Sequence, residues 1–194
     1  MGHVDSPLPL RARNKIRTRD AIRLSAMHLF EANGYGNTTV EQIAEAAEVS
    51  PSTFFRYFPS KQSVLMINDV GEATASALAS QPAALSTMQA FRRAVEMTTA
   101  SRSRDEWQFE IRRRALVLSI PELVAVHYEE HRRTSSAMAE MECRRLGRDP
   151  GDFEVRVFFG ALIGALLTVQ STAEDWRSEL FRTLDFVEAG MPLH

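Results

Sequence analysis

Val49-Ser50-Pro51-Ser52-Thr53-Phe54-Phe55-Arg56-Tyr57-Phe58-Pro59-Ser60-Lys61 is the stretch whose reading decides the fold. It predicts a helix of about two turns. Ser50 is placed to cap it, and Pro51 falls at the first helical position, where a missing N–H costs nothing. Pro59 closes it, because proline disfavours helix in the residue before it. Ser60 is then placed to cap a new helix at Lys61. An isolated helix this short is not stable in water. Neighbours must hold one face, and the other must be turned toward something outside.

The preceding residues supply a neighbour. Thr38-Thr39-Val40-Glu41 fits a capping box, with Thr38 at the cap and Glu41 three residues on. Val40, Ile43, Ala44 and Ala47 recur at helical spacing. An earlier helix is expected from about Asn14 to Asn33, with Ile22, Ala26, Leu29 and Phe30 as its apolar stripe. Gly34 ends it where a left-handed residue is expected. Helix, tight turn, helix, with alanines where backbones approach, is the helix-turn-helix pattern.

Charge is distributed unevenly. The 194 residues carry a net charge of −2, with 25% charged and 44% hydrophobic residues, an ordinary globular composition. Residues 1–61 hold eight Lys/Arg against six Asp/Glu, and the remainder 15 against 19. Arg11, Arg13, Lys15, Arg17 and Arg19 precede the first acid of that stretch, Asp20. A weakly basic head on an acidic body fits contact with a polyanion at one end only. A single cysteine, Cys143, excludes a disulfide framework. No basic-then-apolar leader opens the chain, and the expected location is the cytoplasm. The longest apolar run, 157–169, is shorter than the ~20 residues of a membrane span, so a buried helix and no membrane partner are expected.

Beyond Lys61 the sequence reads as helical throughout. Helices are expected at about 61–80, from past Pro82 to 102, 105–118, 121–146, 152–172 and 174–188. The fold class is therefore all-α, about nine helices in total: a three-helix N-terminal domain and a C-terminal bundle. The expected domains are a flexible basic arm over 1–13, a helix-turn-helix domain over 14–70, and a helical bundle over 71–194, whose interior is a usual place for a small-molecule pocket. In the 152–172 helix, Gly160, Ala161, Gly164 and Ala165 lie on one side. Helix glycine costs about 1 kcal/mol against alanine, so two of them predict a closely approaching backbone. That backbone belongs either to a second subunit, with Trp176, Leu180 and Leu184 completing the face, or to the same chain.

The N-terminal block resembles the DNA-binding domain of the TetR family of bacterial transcriptional regulators. The resemblance covers Lys15 to Asp69. It rests on Leu29-Phe30-Glu31-Ala32-Asn33-Gly34-Tyr35, on Thr38-Thr39-Val40-Glu41-Gln42-Ile43-Ala44, and on Ser52 to Lys61. It implies that the third helix enters the major groove, that Tyr57 and Lys61 touch phosphates, and that Thr39 holds backbone at the start of the second helix. Ser50, Ser52, Thr53, Phe55 and Arg56 complete the implied DNA-binding set, while Phe54 and Phe58 match buried positions. Dimerisation through the last two helices follows from the same resemblance. A weaker likeness to regulators with an acyl-CoA-like ligand-binding domain lies in Ser119-Ile120-Pro121-Glu122-Leu123 and in Cys143 to Pro150.

Two further clusters carry possible chemistry. His127-Tyr128-Glu129-Glu130-His131 matches the H-x-x-E-H pattern of inverted zinc peptidases, though a salt-bridged helix face explains it as well. Arg112-Arg113-Arg114 cannot all share one helix face; an inward arginine requires an anion or a buried carboxylate. Met88, Met97, Met138 and Met141 could line an adaptable pocket or simply fill the core. Together these observations predict a ligand-responsive, dimeric DNA-binding repressor without cofactor or catalytic function. Its partners would be a palindromic double-stranded operator and a small, largely apolar effector near Arg102, Trp107, Arg112 and His127. The alternatives are a zinc-dependent hydrolase using His127, Glu130 and His131, and a DNA-binding protein without a small-molecule ligand.

Overall fold

The computed structural model describes residues 9–67, 69–169 and 176–192. Among them are nine helices, one further single helical turn and no strand. The chain divides into two compact units, with the boundary between Ile67 and Asn68.

The first unit contains α1 (Leu10–Asn33), α2 (Val40–Ala46), α3 (Pro51–Tyr57) and the single turn α4 (Ser63–Met66). Ile22, Ala26, Met27 and Phe30 of α1 close over Ile43 and Ala44 of α2, Phe54 of α3, Phe58, and Val64 and Leu65 of α4; all are buried. Gly34 ends α1 at φ 82°, donating its N–H to the Phe30 carbonyl. Helix α1 begins at Leu10, four residues before the expected Asn14, with Pro9 at its cap. Residues 10–13, expected as flexible arm, are therefore helical, and the first eight lie outside the described residues. The proline is the reason: it cannot continue a helix backward but suits the position where one starts.

The start of α2 differs in register from the sequence reading. Thr39, not Thr38, is the cap: its Oγ1 accepts from the Gln42 N–H at 3.2 Å, and the Gln42 Oε1 accepts from the Thr39 N–H at 2.9 Å. Glu41 is thus not the box partner. Thr38 is buried instead, its hydroxyl placed to donate to the Leu29 carbonyl (3.2 Å) or the Gly34 carbonyl (2.9 Å), which ties the loop to α1.

The second unit holds α5 (Asp69–Ala79), α6 (Thr87–Ala100), α7 (Arg104–Ser119), α8 (Pro121–Leu146), α9 (Phe153–Leu167) and α10 (Trp176–Glu188). The single helix expected over 61–80 is two pieces. Ile67 is extended, and α5 restarts with Asp69 and Glu72 in its first turn, where acids complement the helix dipole. The helix expected to reach residue 172 ends at Leu167, where the Thr168 hydroxyl donates back to the Ala165 carbonyl. Ser86 with Gln89, and Ser103 with Glu106, form reciprocal capping boxes that start α6 and α7.

Leu78, Phe91, Ala94, Met138, Cys143, Phe159, Leu162 and Leu184 form the centre of this unit. Charge is buried there too. Glu142 is wholly buried against Arg145, whose guanidinium also donates to the carbonyls of Pro82 and Leu85, clamping the α5–α6 connection onto α8. Arg92 of α6 donates to Asp185 (2.6 Å) and Glu188 (2.8 Å) of α10.

Candidate functional site

Helix α3 is held from beneath and bare above. Phe54 and Phe58 are fully buried, as their positions predict, with ring centroids 5.8 Å apart. Ser50 accepts from the Thr53 N–H at 3.1 Å and its hydroxyl lies 2.9 Å from that of Ser52 and 3.0 Å from that of Thr53. These contacts fix the first turn. Ser52, Phe55 and Arg56 are exposed, and Thr53 and Tyr57 partly so. Phe55 is half open to solvent (52%) while its ring edge rests on Phe54. An exposed aromatic beside an arginine and three hydroxyls, on a two-turn helix, is a surface able to pair with base edges and phosphates.

Lys61 has an internal task as well. Its ammonium donates to the carbonyls of Tyr35 (2.7 Å) and Thr38 (2.9 Å) and sits 4.2 Å from the centre of the Tyr35 ring. An ammonium has three N–H donors, so one remains for an outside acceptor. Thr39 is exposed at the start of α2, its side chain already capping. All eight residues singled out for DNA contact lie in this one unit.

In the bundle, the arginine run divides as helix geometry requires. Arg112 faces solvent; Arg113 is buried and paired with Glu110 at 2.8 Å; Arg114 is partly buried and donates to the Leu167 carbonyl at 2.7 Å. Arg112 is therefore not the inward arginine; Arg113 and Arg114 are. Across from them on α8, the Nε2 atoms of His127 and His131 lie 3.1 Å apart with the rings perpendicular. Burial, followed by the arginine charges, lowers His127 to a pKa of about 4. Burial, then His127, then the arginines lower His131 equally. Glu130 turns away to Arg133, and Glu129 pairs with Arg132 and Arg133. Among the described residues no group of three His, Cys, Asp or Glu side chains is placed to hold a metal. The zinc-hydrolase alternative fails on this geometry, since cations crowd the histidines and the glutamate is elsewhere.

Arg102 lies 5.9 Å from the Trp107 ring, which stacks on Trp176 at 3.8 Å. Trp176, expected on a subunit interface, is thus engaged within its own chain. Leu184 is fully buried and Leu180 packs on the core, so the apolar side of α10 is spent internally. Helix α9 is the reverse. Phe153 (69% exposed) and Val157 (48%) share an open face with Gly160, Ala161 and Gly164, and a Cβ added at either glycine would meet nothing within 4 Å. No backbone among the described residues explains those glycines. The methionines line no common wall: Met88 and Met138 are core, Met97 is exposed.

Sequence reasoning did not single out Glu110, the partner of Arg113, or set Arg113 and Arg114 beside the histidine pair. The spacing Glu110–Arg113, one helical turn, was the signal that could have marked the inward arginine.

Comparisons with known proteins agree with this arrangement. Residues 22–66 match the domain described as bacterial regulatory proteins, tetR family, and residues 85–192 match the TetR-type domain described as the MftR C-terminal domain. An 83-residue stretch is 51% identical to the HTH-type transcriptional regulator TcmR of Streptomyces glaucescens, covering 42% of this chain and 37% of that protein. The matched part is little more than a third of that relative's length. SmeT, the repressor of the Stenotrophomonas maltophilia multidrug efflux pump SmeDEF, superposes with a TM-score of 0.58 at 18% identity, over 89% of each chain. FadR of Thermus thermophilus, a transcriptional repressor solved in complex with lauroyl-CoA, gives 0.51 at 23% identity, covering 91% of this chain and 96% of that one. At such identities the likeness is one of fold. No helix among the described residues is long and apolar enough to cross a membrane.

Proposed function

The chain belongs to the tetR family of bacterial regulatory proteins, and from that premise we propose that it is a cytoplasmic, dimeric repressor that leaves its operator when an amphiphilic effector binds. The observation that carries the reading is α3: a two-turn helix rigidly seated on Phe54 and Phe58, with Ser52, Phe55, Arg56 and Tyr57 turned outward. Arg56 and Thr53 read base edges, while Tyr57 and the spare N–H of Lys61 hold phosphates. Two copies of α3 enter successive major grooves of a pseudo-palindrome.

The subunit contact lies on the open face of α9. An exposed apolar patch with glycines set in it allows two helices to approach closely, and a second subunit is the partner that removes Phe153 and Val157 from water. Light scattering tests this: Gly164→Leu leaves mainly monomer. A dimer of unchanged mass in that variant would place the contact elsewhere.

The effector is a largely apolar molecule with an anionic head, of acyl-CoA type. Arg114, partly buried and donating to the Leu167 carbonyl, is the cation on this face that an anionic head would meet, while Arg113 is already paired with Glu110 and the histidine pair is neutral. The lauroyl-CoA complex of the T. thermophilus repressor supports this ligand class. Binding shifts the dimer toward a spacing that no longer fits the grooves.

The experiment is selection of duplexes from a random pool, followed by anisotropy on the selected site. Arg56→Ala is expected to change the selected sequence, and Tyr57→Ala to weaken all sequences alike. Lauroyl-CoA is expected to lower operator affinity more than laurate. Equal or absent responses would remove the ligand class and leave the DNA reading standing; no selected duplex would remove the DNA reading.

A further inference from the structure

The helix that supports the DNA-binding unit is longer than its support requires. The first buried residue of α1 is Ile22, and every residue from Leu10 to Arg17 except Ala12 is exposed, so these turns have no core beneath them. Five cations precede Ile22: Arg11, Arg13, Lys15, Arg17 and Arg19. Among the described residues none pairs with the first four, and all four are exposed. The 11/15 and 13/17 pairs each set like charges four apart, which destabilises an isolated helix, while Arg19 is paired with Asp20. A free, self-repelling helical segment makes physical sense when counter-charge comes from outside.

Its direction is fixed by two hydrogen bonds. The Thr38 hydroxyl, just before α2, reaches Leu29 at 3.2 Å, and the Ser25 hydroxyl donates to Ala46 at the end of α2 at 3.1 Å. Helix α1 therefore runs antiparallel to α2. Followed back from Ser25, its free turns pass beyond the connection that leads into α3. They extend for roughly 12 Å, a length of about three to four base pairs. The cations form two stripes on opposed sides of the helix, Arg11-Lys15-Arg19 and Arg13-Arg17. Leu10 and Ile16, both exposed, lie on different faces, so there is no continuous apolar side of the kind a membrane-surface helix needs.

We propose that the first turns of α1 are a second DNA-contacting surface, laid along the phosphates that flank the base pairs covered by α3. The inference rests on the DNA-binding reading above and adds flank contacts that carry affinity without sequence information. A helix with cations on opposed sides is suited to reach both strands across a groove, whereas a single stripe reaches one.

The test compares the intact protein with a variant carrying Arg11→Gln, Arg13→Gln, Lys15→Gln and Arg17→Gln. The probe is the duplex selected by the intact protein, used with ten-base-pair flanks and trimmed to its core. Glutamine keeps the helix, and an all-lysine variant at the four positions serves as the charge-retaining control. The log–log salt slope is expected to fall by about 0.9 for each phosphate that the variant no longer neutralises, three to four per chain bound if all four cations engage. Trimming the flanks is expected to weaken the intact and all-lysine proteins at least ten-fold and the glutamine variant hardly at all, with the selected sequence unchanged. An unchanged slope and flank dependence in the glutamine variant would overturn this inference alone. An equal fall in slope for the all-lysine variant would also overturn it, by showing a structural rather than a charge effect. Failure of the intact protein to select any duplex would instead overturn the DNA-binding reading beneath it.

Discussion

In the N-terminal unit the buried side chains are mostly apolar, Ile22, Phe30, Ile43, Phe54, Phe58 and Leu65 among them, with Arg23 and Thr38 the buried polar ones. The bundle closes over Glu110, Arg113, His127 and Glu142 as well as its apolar centre. One unit takes its helix starts from local signals a few residues long and is tied across more than twenty residues by Lys61 with Tyr35 and Ser25 with Ala46. The other depends on pairings across dozens of residues, such as Arg92 with Glu188 or Arg145 with the carbonyls of the α5–α6 connection. The first is a rigid platform for presenting side chains. The second encloses paired charges and a histidine pair that burial holds neutral.

The sharpest way to break this contrast is to remove the same amount of stability from each unit by opposite chemistry. Arg145→Ala strands the fully buried Glu142 and is expected to destabilise the bundle by about 3–5 kcal/mol in urea unfolding; replacing both partners by Met and Leu should recover much of the stability. Phe54→Ala is expected to cost the N-terminal unit about 3–5 kcal/mol and abolish DNA binding while the bundle stays folded. If the two effects were reversed in kind, the contrast would fail.

Acid probes the bundle more finely. The histidine pair has a folded pKa near 4, below the ordinary 6.5, so the unfolded chain binds protons first. The stability from keeping the pair neutral is present above about pH 6.5 and lost as pH falls toward 4. A His127→Gln, His131→Gln variant should show a flatter urea midpoint across that window; an equal slope in both proteins would remove the pair from the account.

The smallest expected effect concerns the register of α2. Thr39→Ala and Gln42→Ala should each cost the N-terminal unit on the order of 1 kcal/mol, measured by thermal melting, and Glu41→Ala less than about 0.5 kcal/mol.

That last prediction marks where the sequence stopped being legible. Ser50-Pro51 and Pro59 bounded α3 because capping and proline effects act over one or two residues. Thr38 and Thr39 could not be told apart, since both offer a hydroxyl and both have a partner three residues on; only the tertiary bonds of Thr38 to Leu29 and Gly34 assign them. The same limit explains α9 and α10. Glycines and leucines mark close packing without saying against what: Leu184 is buried within the chain, and Trp176, partly exposed, stacks on Trp107. Which of the three adjacent arginines turns inward was not legible, because the run carries no phase of its own; the phase comes from Glu110, one turn before Arg113.

The chain has two tryptophans, Trp107 and Trp176, stacked on each other, and one cysteine, Cys143, sealed in the bundle core. The N-terminal unit has neither. Tryptophan fluorescence, excited apart from that of tyrosine, and thiol labelling therefore report on the bundle alone, with no engineering. Exciton coupling between the stacked indoles marks the α7–α10 contact, and the rate of thiol modification times the opening of the core. A titration with operator can thus be followed from the unit that carries none of the α3 side chains, by chromophores the protein already owns.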